Sequence, residues 1–202
     1  MGKFLRAIAI ATAVVIAFCV SPVSAYPPGV PMTVSLTPDM ILAKTGKTKL
    51  LINKAKPSSN VTITVNKKSS STVASATGAI TKNLTGYTAG IYTISVRTPV
   101  YPEVDDEVKS VVLYVPNVTA PKSGKITAKT TVKVAFVKPG TILTLAPKAG
   151  KKAKKTITVK LGAKATSATI TIPAKTFIKG ATNTFVLTVG KAFKTTYKFT
   201  GK

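Results

Sequence analysis

Four carboxylates fall within five residues, Glu103, Asp105, Asp106 and Glu107, in the run Tyr101-Pro-Glu-Val-Asp-Asp-Glu-Val108. Hard oxygen donors clustered on a loop between strands suit Ca²⁺, so these four are the candidate metal ligands of the chain. Their spacing follows no Ca²⁺-loop motif, and the competing reading is a solvated loop whose acids offset nearby lysines. A glycosidase pair could be drawn from the same acids, but the sequence marks neither a sugar cleft nor a carboxyl with reason to titrate high. A second cluster is cationic. Lys151, Lys152, Lys154 and Lys155, with Lys148 just before them, form a five-lysine candidate contact for a polyanion.

The missing residue types exclude more than the present ones suggest. The chain has no His and a single Cys, Cys19. Ser-His-Asp and Cys-His nucleophilic sites therefore cannot form within it, nor can a His/Cys zinc site. No phosphate-binding loop, dinucleotide fingerprint or Ser-x-x-Lys motif occurs. The expectation is a protein that is not an enzyme and takes no cofactor.

Cys19 lies in a segment expected to be removed. Residues 1–25 carry Lys3 and Arg6, then an apolar run over 7–20, then Val23-Ser24-Ala25. That is the charged, apolar and small-residue order of a secretory signal peptide. The apolar run is too short to cross ~30 Å of hydrocarbon as a helix, so no transmembrane segment is expected in the mature chain. Residues 26–32 hold Pro27, Pro28 and Pro31 and read as a stiff extended leader.

Charge is extreme and uneven. Residues 26–120 hold ten basic and five acidic side chains, whereas 121–202 hold 18 lysines and no acid. Arg97 is the one arginine past the signal. Lysine is a hydrated point charge without the planar fork of arginine, so the field is diffuse. Few arginines, and no aromatics interleaved with loop lysines, argue against sequence-specific nucleic-acid binding.

The elements that must carry these residues are strands. Over 155–172, Ile157, Val159 and Leu161 alternate with Thr and Lys; after Gly162, Ala168, Ile170 and Ile172 alternate with Thr. Period two buries one face and wets the other. Strands are likewise expected at 33–36, 49–52, 61–65, 91–96 and 109–115, with a weaker one at 72–80 after a polar Ser69-Ser70-Ser71 loop. No sustained 3.6-residue stripe follows Ala25.

The pattern also repeats. Leu50, Ile52, Val61 and Ile63 match Val132, Val134, Leu143 and Leu145 at an offset of 82. Ser75-Ala76-Thr77 is aligned with Ser167-Ala168-Thr169, and Tyr92, Ile94 and Val96 with Phe185, Leu187 and Val189, at offsets of 92 and 93. This predicts a duplicated domain with a lysine-rich insertion over 148–155.

Leu84 and Gly90-Ile-Tyr92-Thr-Ile94-Ser-Val96 resemble the corner and sixth strand of bacterial immunoglobulin-like and fibronectin-like sandwiches. The resemblance covers about a dozen residues per domain and lacks the antibody Cys pair and core Trp. It implies an all-β chain of two tandem immunoglobulin-like β-sandwich domains after a cleaved signal peptide. The expected layout is a first sandwich over 33–115, a linker over 116–122 and a lysine-rich second sandwich over 123–202. The function expected is that of a secreted, non-catalytic structural or adhesive protein of the cell surface or extracellular space, meeting a surface protein or wall partner. The alternative is electrostatic binding of anionic envelope polymers, such as teichoic acid, acidic glycan or extracellular DNA, through the second domain. The bland reading of the lysines is a solvated surface that keeps strand edges unpaired.

Overall fold

A computed structural model describes residues 30–99, 105–120, 125–126, 129–148, 155–176, 178, 180–191 and 193–201. The expected signal peptide and most of the leader lie outside the described residues.

The chain runs through β1 (Thr33–Thr37), β2 (Lys47–Asn53), β3 (Asn60–Val65), β4 (Lys68–Val73), β5 (Ile80–Thr85), β6 (Gly90–Thr98) and β7 (Glu107–Val115). It continues through β8 (Asn117–Thr119), β9 (Lys125–Ile126), β10 (Thr130–Ala135), β11 (Ile142–Pro147), β12 (Ile157–Lys160), β13 (Ser167–Ile172), β14 (Thr182–Val189) and β15 (Phe193–Gly201). Helix among the described residues is confined to one 3₁₀ turn, Ala174–Thr176.

Two sandwiches result. In the first, β1-β2-β5 faces β4-β3-β6-β7; in the second, β8-β10-β13 faces β12-β11-β14-β15, with β9 added in parallel to β15. The two orders are the same order. Both place an A-B-E sheet against a C′-C-F-G sheet, which is the immunoglobulin-like and fibronectin-like arrangement. Alternation explains the layering: β2 reads exposed-buried throughout, with Leu50 and Ile52 fully buried. The first core closes with Val61, Ile63, Ile94 and Leu113, and the second with Leu143, Leu145, Ile170 and Phe185.

Three expectations change. Ser69-Ser70-Ser71 is not a loop but part of β4, which pairs with β3 over its whole length. Nearly every residue of β4 is exposed, so no apolar alternation marks it. Its order comes from backbone pairing and a tight turn at Asn66 and Lys67, both at positive φ, as a two-residue hairpin requires. The stretch expected as one strand over 72–80 is split by a turn, where Gly78 N–H donates to Ser75 O at 2.9 Å before β5 begins. Gly78 has φ +73, and a Cβ there would lie 2.1 Å from Ala55 O, so only glycine fits.

The stretch 116–122 is not simply a linker. It contains β8, whose Asn117, Val118 and Thr119 pair with Ala135, Val134 and Lys133 of β10. The chain passes from one sandwich to the next through Pro116 alone, which is buried.

The alignment of the repeats also shifts. Leu50 pairs with Lys82 and Val132 with Ile170, so β5 and β13 correspond at an offset of 88. Ser75-Ala76-Thr77 sits in the turn before β5 and has no counterpart in Ser167-Ala168-Thr169. Ile63 pairs with Val96 and Leu145 with Leu187, so β6 and β14 correspond at 91 and not 93. Ile94 therefore matches Phe185, and Tyr92 matches Asn183. A slip of two residues keeps every side chain on its face, which is why alternation alone does not detect it.

The sandwiches are joined by more than Pro116. Asp39, Met40 and Ile41 form a strap, with Tyr114 N–H donating to Asp39 O at 2.9 Å and Ile41 N–H to Tyr114 O at 3.0 Å. Ile41 is buried in the first core, and its neighbour Met40 is buried in the second. Tyr114 packs against the second core while Leu113 and Val115 belong to the first.

Candidate polyanion surface and acidic cluster

Two of the three described acids of this run, Asp106 and Glu107, have protein partners. Asp106 pairs with Arg97 on the neighbouring strand. Glu107 opens β7 and accepts the Met32 backbone N–H at both carboxylate oxygens, 2.9 and 3.0 Å away; Lys109 stands 3.5 Å from it. Asp105 is exposed, and Glu103 lies outside the described residues. Among the described residues, no three His, Cys, Asp or Glu side chains group as metal ligands do. Asp106 and Glu107 thus act as clasps, and Glu107 ties the chain entering β1 to β7 on the opposite sheet. Glu107→Ala is expected to cost about 1–2 kcal/mol by urea unfolding, because it removes a charge-assisted hydrogen bond beside buried Met32. Glu107→Gln, which keeps an acceptor, should recover most of it. Equal losses in both variants would mean that the clasp works through charge alone.

Tyr92 Oη donates to Thr88 O at 3.0 Å, four residues upstream, which is the tyrosine corner of these sandwiches. Tyr87 packs edge-on against Tyr92 at 4.7 Å, and burial with the neighbouring Tyr92 pushes its phenol pKa up. In the second sandwich Asn183 takes the Tyr92 position and the same task. Its Oδ1 accepts Ile178 N–H at 2.8 Å, and its Nδ2 donates to Ile178 O at 3.2 Å and Ala181 O at 3.0 Å. The sequence carries no signal for this role, because Asn183 follows no corner motif. Asn183→Ala should cost about 2 kcal/mol, since it leaves Ile178 N–H and two carbonyls without their partner beside the core. Asn183→Asp restores only the acceptor and should fall between. A loss under ~0.5 kcal/mol for Asn183→Ala would show that the corner is held elsewhere.

Of the five lysines singled out by sequence, Lys148 and Lys155 are described, both exposed, at the end of β11 and just before β12. Lys151, Lys152 and Lys154 lie outside the described residues. The strand register adds three residues that the sequence did not single out. Lys194 and Lys198 of β15 face Thr188 and Thr184 of β14, and Lys160 of β12 faces Ile142 of β11. Lys148 N–H donates to Thr184 O at 2.9 Å, which continues the row Lys148–Thr184–Lys198. Lys148, Lys160, Lys194 and Lys198 thus share the outer side of the five-stranded sheet and are all exposed. The outer side of β8-β10-β13 offers Thr119, Thr131, Thr169 and Thr171 around Lys133. The second sandwich is more basic on one face than on the other.

Lys138 is the described lysine of this half with a carboxylate partner. Its Nζ lies 2.5 Å from Asp39 Oδ2, and that hydrogen bond and charge hold its pKa above the ordinary lysine value. On the first sandwich, Thr37, Lys47, Thr48, Lys49, Asn83 and Thr85 line an open hollow of about 490 Å³.

No family model and no curated protein matches the sequence. Among solved structures, the chain is similar to the human OSCAR ligand-binding domain at 12% identity and a TM-score of 0.41, over 84% of this chain and 96% of that one. It is similar to a Ca²⁺-stabilised adhesin with which an Antarctic bacterium binds ice, at 13% identity and a TM-score of 0.34, over 86% and 49%. It is also similar to the fibronectin(III)-like modules of Clostridium thermocellum CbhA, at 12% identity and a TM-score of 0.33, over 85% and 94%. The chain spans 31% of the red sea bream transglutaminase that it also overlaps. The strand order, and not these overlaps, gives the conclusion that the chain is built of two immunoglobulin-like or fibronectin-like sandwiches.

Proposed function

We propose that the chain is a secreted, non-catalytic adhesive or structural module of the cell surface or extracellular space. The observation that supports this reading is the pair of sandwiches of one topology, joined through buried Pro116 and the strap over 39–41. Such a unit presents sheet faces and loops at a fixed spacing, which suits holding a partner more than transforming one. A second reading, electrostatic retention on an anionic polymer, is favoured by the four lysines on one sheet face and the lack of acids over 121–202.

Washing producing cells with rising NaCl separates the two. Adhesion through apolar and hydrogen-bonded contacts keeps the protein bound through ~0.5 M salt. Electrostatic retention releases it over that range, because log affinity falls linearly with log salt. Cutting the chain at Ala120 is a poor comparison, since it severs β8 from β10 and exposes Met40. Full-length lysine variants are the right partners. Recovery of the protein only inside cells would overturn both readings.

A further inference from the structure

We propose that the outer face of the sheet β12-β11-β14-β15 is the docking surface for a linear, phosphodiester-linked polyol chain. This rests on the electrostatic reading above and assigns it a place and a ligand class. Lys148 and Lys198 stand on one row, two strands apart, which at 4.7–4.9 Å per strand is about 10 Å. Lys194 and Lys198 are four residues apart on β15, about 13 Å. Lys160 lies on β12, three strands from β15. These separations exceed the ~8 Å Debye length at physiological salt, so each lysine meets its own phosphate of a chain laid across the strands and the contacts add one by one.

The chemistry of the face narrows the occupant. Thr144, Thr158, Thr188 and Thr196 lie among the lysines on the same side. Their hydroxyls can donate to phosphate oxygens and exchange hydrogen bonds with polyol hydroxyls. Ala146 and Val186 are the small apolar residues at the centre. A nucleic-acid base finds no ring in this set to stack on, and lysine lacks the fork that reads a guanine edge. The charges are sparse, which suits a polymer whose phosphates are separated by a polyol.

The test uses the full chain and purified poly(glycerol phosphate), with Kd measured calorimetrically between 50 and 300 mM salt. The variant K148Q/K160Q/K194Q/K198Q removes the face. The variant K44Q/K47Q/K49Q/K67Q removes the same charge from exposed positions of the first sandwich. The face variant should bind at least tenfold more weakly, with a log–log salt slope shallower by about three. The control should stay within threefold of wild type. Equal losses in both variants would reduce the effect to net charge and overturn the proposal. So would a face variant that binds like wild type, or tighter binding of a polyuronate of matched charge. A wild-type protein that binds no polyanion at all would overturn the electrostatic reading itself.

Discussion

Phe185→Ala should lower the unfolding free energy by about 3–5 kcal/mol, measured by urea titration. Phe185 is fully buried and is the largest such side chain among the described residues. The size of the effect follows from how the two cores divide their volume between sheets. On the three-stranded sheet, the second sandwich has Val132 for Leu50, Val134 for Ile52 and Ala168 for Ile80, while Ile170 and Ile172 stand for Lys82 and Leu84. On the opposite sheet it has the larger residues: Leu143 for Val61, Leu187 for Val96 and Phe185 for Ile94. Part of the core volume thus moves from β2 in the first sandwich to β11 and β14 in the second. Val132 and Val134 of the same core are short and β-branched, so they refill little of the space it leaves and the cost sits high in the range. The converse is Ile94→Phe, which forces a ring into a core that already holds Leu50 and Ile52 and should cost about 1–3 kcal/mol by overpacking. Phe185→Ile should be the mildest of the three. A Phe185→Ala loss under ~1.5 kcal/mol would mean that the second core collapses to fill the gap, and the division of volume would be wrong.

The parts of this fold that alternation reports were legible in the sequence. β2, β3, β6, β10, β11 and β13 each bury every second residue, so their existence and inward faces follow from β-branched residues set between Thr and Lys. What alternation cannot report was hidden. β4 has no buried face, and only the Asn66-Lys67 turn could have betrayed its hairpin. β8 is three residues with one apolar side chain, Val118, too short for any period. The corner role of Asn183 is a set of hydrogen bonds with no sequence pattern, so the match of Asn183 to Tyr92 emerges only from the strand pairing. The candidate surface was legible as a count of lysines, but not as a place. Lys160, Lys194 and Lys198 are scattered along the chain and meet only through the pairing of β12, β11, β14 and β15. The acids looked like one cluster because they are adjacent in sequence; strand geometry turns Asp106 toward Arg97 and Glu107 toward Met32.

Met40→Ala should do more than weaken the second sandwich by the about 2–5 kcal/mol of a buried methionine truncation. It should also divide unfolding into two steps. Neighbouring side chains on an extended strap point to opposite sides, and here the two sides belong to different cores, with Ile41 3% exposed and Met40 7% exposed. The strap cannot pivot freely, because its backbone is hydrogen-bonded to Tyr114 on both sides of Met40. Unfolding the first sandwich therefore withdraws Met40 from the second, and unfolding the second leaves Met40 and one side of Tyr114 in water. Wild type is expected to show one calorimetric transition, and Met40→Ala two, with the second sandwich melting first. Lys138→Met is the matched control at the same junction. The Asp39–Lys138 pair is about half exposed on both sides, so it should contribute under ~1 kcal/mol. Because the Lys138 pKa is raised, that contribution is present below pH ~10.5 and is lost as pH climbs past the folded value. Burial and charge are thereby separated: Lys138→Met should keep the single transition, with a small shift that salt abolishes. A single, unmoved transition in Met40→Ala would show that the sandwiches are coupled through Pro116 alone.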